Sequence, residues 1–189
     1  MKSTLESLPP GSVRADVPSP VGTLSILASD QGLHAILWER DRRDPDCAAA
    51  LRRIARSEAH PVVAATRRQL AEYFAGKRAR FDLPLRPAGT PFQLRAWREL
   101  QRIPFGKTIS YEEQAARLGD RKKARAVGTA NSRNPISIVV PCHRVVAKSG
   151  ALSGFGGGVE NKRWLLNLEG ALERGGPRPT SPFHDRSVT

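Results

Sequence analysis

Four residues near the middle, Arg86-Pro87-Ala88-Gly89, limit what this chain can fold into. Proline and glycine this close together suit neither a helix interior nor a central strand. The chain is therefore expected to divide into an N-terminal unit, residues 1–86, and a C-terminal unit that begins at 87. Before the break, Val21–Ala28 and Leu33–Trp38 are rich in apolar and β-branched residues. They flank Ser29-Asp30-Gln31-Gly32, the pattern of a hairpin. Helices are expected over Asp44–Ser57 and Pro61–Ala75. The second has Pro61 in its first turn, an apolar stripe of Val62, Leu70, Tyr73 and Phe74, and Gly76 as its stop. Phe81–Leu85 reads as a short extended piece and residues 1–12 as a loose lead-in. These signals describe an α/β N-terminal domain.

Beyond the break the pattern is helical. Thr90-Pro91 is a cap and first-turn proline for a helix that carries Phe92, Leu94, Trp97 and Leu100 and ends before Pro104. Ser110 with Glu113 is a capping box opening a helix at Tyr111, which stops at Gly119. Arg121–Ala130 reads as another helix, directly after the turn. A pair joined so tightly is compatible with a helix-turn-helix and equally with the commoner αα-corner. Asn161–Leu168 reads as a closing helix with Glu169 near its end, so the second unit runs over 87–170. Residues 171–189 hold three prolines and little periodicity, the composition of a disordered tail.

The chain has 189 residues, of which 39% are hydrophobic, enough for a packed core. Its net charge of +13 fits a polyanionic partner, most simply nucleic acid, and equally a solvated basic surface. The excess concentrates in residues 117–133, where Arg117, Arg121, Lys122, Lys123, Arg125 and Arg133 face one acidic group, Asp120. Two cysteines, Cys47 and Cys142, make no disulfide framework, and the four histidines lack zinc-site spacing. With no signal peptide and no apolar run of membrane-spanning length, a reducing, cytoplasmic setting is expected, without metal and without a membrane partner.

The residues with most chemical content are Pro141-Cys142-His143-Arg144-Val145, placed after the apolar run Ile136–Val140. A buried strand could end there and present the sulfur at a pocket floor. A cysteine attacks as thiolate, and a neighbouring histidine helps form it. A lone cysteine is more often an inert buried thiol, and these five residues leave both readings open. Nothing around Cys47 suggests activation. The glycine-rich stretch Ser153–Gly158 could bring backbone amides close to a ligand or be a plain flexible loop.

Taken together, the motifs resemble a known family. Ile109-Ser110-Tyr111, Ala124-Arg125-Ala126-Val127-Gly128, Asn134-Pro135, the Pro-Cys-His-Arg-Val run, Ser153-Gly154-Phe155-Gly156-Gly157 and Leu168-Glu169-Gly170 follow one another in order. Ser19-Pro20-Val21-Gly22 and Tyr73-Phe74-Ala75-Gly76 precede them. Over residues 17–170 the chain is similar to the O6-alkylguanine-DNA alkyltransferases. The resemblance implies a ribonuclease-H-like α/β N-terminal domain and a mostly α C-terminal domain with a helix-turn-helix. It implies double-stranded DNA as partner, entered through the minor groove with a flipped base, and a monomer whose cooperativity on DNA is left open.

The reaction implied is direct DNA repair: irreversible, stoichiometric transfer of the alkyl group of O6-alkylguanine, and of O4-alkylthymine, with no cofactor. Cys142 would be nucleophile and acceptor, His143 the base acting through water, and Glu169 the group that orients His143. Tyr111 would donate to guanine N3, and Asn134 would act as a hinge. Arg125 would fill the hole left in the base stack, with Ala126, Lys122, Lys123, Ser110 and Tyr111 also touching DNA. Backbone groups of Cys142, Val145 and Gly156 would hold the guanine edge beside Phe155, which stands where many family members have tyrosine. A thioether has no easy hydrolytic exit, so each molecule would react once. The competing readings are a lesion-flagging relative, which typically lacks the cysteine; a transcription regulator, which has no use for the Cys-His pair; and a cysteine hydrolase, which has no use for the basic helix.

Overall fold

The expected hairpin forms one side of a four-stranded sheet. A computed structural model of the protein describes residues 2–172. After a short helix α1 (Lys2–Glu6), within the expected lead-in, come β1 (Val13–Val17), β2 (Leu24–Ser29) and β3 (Gly32–Leu37). Helix α2 (Pro45–Arg52), strand β4 (Ala55–Arg56) and helix α3 (Pro61–Phe74) complete the N-terminal half. The sheet order is β3-β2-β1-β4, with β1 antiparallel to β2, β2 antiparallel to β3, and β4 parallel to β1. Every residue of β2 and β3 is buried, because both faces of the sheet are covered. That is why these strands read as continuous apolar runs rather than alternating ones. Ile26 and Ala28 pack with Val63, Leu70 and Tyr73 of α3, while Leu27, Ala35 and Leu37 pack with Cys47 and Leu51 of α2.

The N-terminal half adds one strand that the sequence reading does not name and shortens one expected helix. Strand β1 lies just past the residues read as a loose lead-in; it alternates Val13, Ala15 and Val17 with Arg14 and Asp16, and that polar pair is tied down locally. Asp16 accepts from Ser25 Oγ at 2.5 Å and pairs with Arg56. The helix expected over Asp44–Ser57 ends at Arg52, and the following residues turn to become the edge strand β4. Asp44 caps that helix by accepting from the Cys47 amide at 3.0 Å.

In the C-terminal half, α4 (Pro91–Leu100) and α5 (Tyr111–Arg117) start where the caps place them, with a short strand β5 (Ile109–Ser110) leading into α5. Both helices carry a complete capping box, Thr90 with Gln93 and Ser110 with Glu113. The helix expected from Arg121 begins with a 3-10 turn, Arg121–Lys123, capped by the Asp120 carboxylate on the Lys122 amide at 2.9 Å. Only from Ala124 does it become α6 (Ala124–Ser132). A second 3-10 turn, Cys142–Arg144, leads into β6 (Val145–Val146), which pairs in parallel with β5. Helix α7 (Val159–Leu168) follows, with Glu169 at its C-cap. The tail expected from 171 lies, from residue 173 onward, outside the described residues.

The apolar run Ile136–Val140 is buried as expected but is not a strand. It folds back on itself, with the Val140 amide donating to Ile136 O at 2.9 Å and Ile138 at φ +75°. A β-branched residue at positive φ is strained, so the surrounding packing must hold it. Part of that hold comes from the N-terminal sheet. Along the edge strand β3, Leu33 N donates to Pro84 O at 2.7 Å and Ile36 N to Pro135 O at 2.9 Å. The linker and the segment before Cys142 therefore lie against the same strand. One apolar core runs through both halves, from Ile26 and Leu70 to Trp97, Ile136, Val145 and Leu165.

Candidate active site

Cys142 opens the 3-10 turn at the end of the folded-back run and is 6% exposed. Asn134 places it. Its Nδ2 donates to Val140 O at 2.7 Å and to Cys142 Sγ at 3.3 Å, and its Oδ1 accepts from the Ile136 amide at 3.1 Å. One buried amide thus closes the turn and hydrogen-bonds the sulfur. Burial pushes the thiol above its ordinary pKa, offset in part by Asn134 and by the positive charge of Lys162. At rest the cysteine is a neutral thiol.

Behind it, His143 is fully buried, with Nε2 2.8 Å from Glu169 Oε1. Glu169 collects further donors. Arg144 spans it in a fork, Nε to Oε2 at 2.8 Å and Nη2 to Oε1 at 2.9 Å, while Nη1 reaches Ile103 O at 2.6 Å. Tyr73 donates its hydroxyl to Oε1 at 2.7 Å and the Gly106 amide reaches Oε2 at 3.3 Å. Burial opposes the Glu169 charge, but hydrogen bonds and positive charge from His143 and Arg144 outweigh it and hold the carboxyl at about 2. Burial lowers the His143 pKa, an effect Glu169 resists only in part. A neutral imidazole with one nitrogen anchored on a fixed carboxylate is a base ready to take a proton. Its other nitrogen, Nδ1, is buried and has no protein partner.

At the front, Tyr111 is the first residue of α5, half-buried, its hydroxyl 3.4 Å from Ser153 O. Burial and the proximity of Cys142 raise its pKa, so it remains a proton donor. Lys162, fully buried on α7, donates to Val145 O at 2.6 Å and Ser153 O at 2.9 Å and ties β6 to the glycine-rich loop. Burial lowers its pKa to about 8. Phe155 is buried edge-on between Trp38, at 5.4 Å between centroids, and His143, at 6.2 Å. Gly156 and Gly157 lie against the Trp38 indole; a Cβ at Gly157 would come within 2.7 Å of it. The loop therefore packs on the N-terminal domain.

The structure brings Cys142, His143, Glu169, Asn134, Tyr111, Val145, Phe155 and Gly156 into one region. The residues expected to touch DNA stand apart from the thiol. Lys122 and Lys123 in the 3-10 turn and Arg125 and Ala126 at the start of α6 are exposed, and Ser110 is spent as the cap of α5. Tyr111 joins the two groups, since its ring comes within 3.7 Å of a Cβ built at Gly128 of α6. A reciprocal amide pair holds α5 on α6, Asn131 Nδ2 to Gln114 Oε1 at 2.7 Å and Gln114 Nε2 to Asn131 Oδ1 at 3.2 Å. Tyr73, Arg144, Lys162 and Trp38 are not among the site residues expected from the sequence. Arg144 sat within the cysteine motif and could have been suspected; Tyr73, Lys162 and Trp38 are brought in only by packing. Among the described residues, no group of three or more His, Cys, Asp or Glu side chains could hold a metal ion.

Comparison with known proteins gives this constellation a family. Residues 14–87 match the family model for the ribonuclease-like domain of 6-O-methylguanine DNA methyltransferase, and residues 91–171 match the one for its DNA binding domain. The methylated-DNA--protein-cysteine methyltransferase of Salmonella typhimurium is 45% identical over 165 residues, covering 82% of this chain and 94% of that one. The constitutive enzyme of that name from Bacillus subtilis is 52% identical over 110 residues, covering 58% and 67%. The Mycobacterium tuberculosis O6-methylguanine methyltransferase R37L variant superposes with a TM-score of 0.76 at 37% identity, covering 88% and 96%. A structure of the M. tuberculosis OGT in complex with DNA superposes with a TM-score of 0.68 at 39% identity, covering 84% and 91%. A ribonuclease-like domain followed by a DNA-binding domain, closed around a buried Cys-His-Glu set, places this chain in the methylated-DNA--protein-cysteine methyltransferase family.

Proposed function

We propose that Cys142 accepts the alkyl group of O6-alkylguanine in duplex DNA, and of O4-alkylthymine, once per molecule. The observation that carries the mechanism is the orphaned Nδ1 of a fully buried histidine whose Nε2 is held by Glu169. Buried polar atoms find partners, and one water shared between Nδ1 and the sulfur would satisfy it. Through that water the Cys142 proton passes to His143, and Glu169 stabilises the imidazolium. Sγ forms a bond to the alkyl carbon as the carbon–O6 bond breaks. The electron pair leaves with guanine, which takes a proton at N3 from Tyr111. The product is a thioether, which water does not release. Lys162 and the Asn134 amide face the thiolate while it exists.

On the same reading, α5 and α6 form a helix-turn-helix that enters the minor groove, and the exposed bases of residues 117–133 contact phosphates. Arg125 occupies the stack when the damaged base flips out. Ser110 and Tyr111 approach the backbone, with Ala126 on the same helix face as Arg125. Residues 1–86 and 87–170 are the two domains. The protein acts as a cytoplasmic monomer, without cofactor.

Intact-protein mass spectrometry after incubation with DNA containing O6-methylguanine tests this. A gain of one CH2, mapped to Cys142 and absent in Cys142→Ala, is expected, with DNA binding retained by that variant. An unmodified protein, or an adduct on Cys47, would sink the assignment.

A further inference from the structure

Tyr73 is the N-terminal domain's contact with the carboxylate behind Cys142. It lies on α3, 96 residues before Glu169. Its ring is fully buried against Phe74, Phe81 and Phe105, with centroids 5.5, 5.4 and 6.2 Å away. A buried phenol needs a hydrogen-bond partner, and a backbone carbonyl would have sufficed. The hydroxyl instead reaches Glu169 Oε1 at 2.7 Å, the oxygen that also faces His143 Nε2 at 2.8 Å.

We propose that Tyr73 is a positioning residue for the alkyl transfer, fixing the Glu169 carboxylate against His143 and limiting how tightly that oxygen holds a proton on the imidazole. This rests on the reading of Cys142, His143 and Glu169 given above. Three observations carry it. The hydroxyl and the imidazole share one oxygen, so each changes what the other meets there. Tyr73 adds a donor without adding charge, whereas Arg144 and Lys162, the cations facing the couple, already oppose an imidazolium. Burial and the Glu169 charge push the Tyr73 hydroxyl well above its ordinary pKa of 10, so it stays a donor.

The groups facing the His143–Glu169 couple are Tyr73 from α3, the Gly106 amide from the turn after α4, Arg144 and Cys142 from the 3-10 turn, and Lys162 from α7. Remove the Tyr73 hydroxyl and Oε1 loses one donor while every charge stays. The carboxylate then holds an imidazolium proton more strongly, and His143 is lost as a base at higher pH. A side chain from the N-terminal domain thus sets the pH at which the C-terminal sulfur can be activated.

The test measures the single-turnover rate of alkyl uptake from free O6-benzylguanine against pH, which leaves DNA binding out of the readout. Tyr73→Phe keeps the ring, and Phe81→Leu serves as a packing control that touches the Tyr73 ring but not Glu169. The expected result is an acid limb moved up by about 0.5–1 pH unit in Tyr73→Phe. Phe81→Leu should melt earlier yet keep the wild-type profile. An unmoved limb in Tyr73→Phe, an equal shift in both variants, or a Tyr73→Phe protein that does not fold would assign the hydroxyl to stability alone and overturn the proposal. If the wild-type protein takes up no alkyl group from O6-benzylguanine or from O6-methylguanine in duplex DNA, it is the role of Cys142 that fails. If wild type reacts and Tyr73→Phe follows the same profile, only Tyr73 is misassigned.

Discussion

Glu169 accepts from five donors, two of them on the same guanidinium, while 5% exposed. Such a group contributes to stability in a way that depends on pH. Its carboxyl sits at about 2 in the folded protein against an ordinary 4.5. A carboxyl depressed by folding stabilises above its unfolded pKa, and this stabilisation is lost as pH falls through the folded value. Between pH 4.5 and 2 the protein should therefore lose roughly 3 kcal/mol through Glu169. His143, depressed below 6.5, acts in the same direction: folding favours its neutral form, and stability falls as pH drops below 6.5. Urea unfolding at a series of pH values should show both, and Glu169→Gln should remove the lower component. That variant also strands the Arg144 guanidinium, which should cost roughly 3–5 kcal/mol at neutral pH. The Cys-His adjacency was readable at this scale. The Arg144 fork and the Tyr73 contact were not, because their Glu169 partner is 25 and 96 residues away.

Among the elements, capping carried most of what could be foreseen. Thr90 and Ser110 start α4 and α5 where their side chains satisfy the first amides, a local rule that needs no tertiary contact. Ser110→Ala should cost about 1 kcal/mol, read by thermal melting, and slow transfer as well, because Tyr111 is the next residue. The glycine-rich loop obeys a different constraint. At Gly157 an added Cβ would meet three Trp38 ring atoms within 2.8 Å, and a rigid indole cannot step aside. Gly157→Ala should destabilise by roughly 1–3 kcal/mol and lower the transfer rate, since the same loop carries Phe155 against His143. Wild-type melting and kinetics would show the loop to be simply flexible. That the run Ile136–Val140 folds back rather than running on as a strand has a physical reason. Its burial was visible in its composition, but its fold-back depends on Asn134 and on Pro135 meeting strand β3.

For the whole molecule, charge and packing make separate predictions. The exposed bases of residues 117–133 should give DNA binding a steep salt dependence. Lys122→Gln should reduce the slope of log affinity against log salt by about 1, equally for damaged and undamaged duplexes. An unchanged slope would take that residue off the phosphate surface. Alkylation should act on the core instead. The sulfur is buried, and Asn134 Nδ2 lies 3.3 Å from it. A methyl group there forces repacking and should lower stability by roughly 1–3 kcal/mol, measured by denaturation before and after reaction. Because Asn134 and Pro135 join α6 to the cysteine turn, that strain is placed between the basic helix and the alkylated sulfur.

By itself, the sequence determined the sheet hairpin, the capped helices, the basic stretch and the order of motifs around Cys142. All of these rest on local chemistry: turn residues, caps, hydrophobic period and charge. Only the tertiary structure decided how the thiol is held and served. Asn134 reaches back to the sulfur, Glu169 arrives from the end of α7, Arg144 forks onto it, and Tyr73 and Trp38 reach in from the other domain. Each of those contacts joins residues with no local rule between them. They exist because one core, shared by both domains, buries these groups together, and buried polar groups find partners among their neighbours.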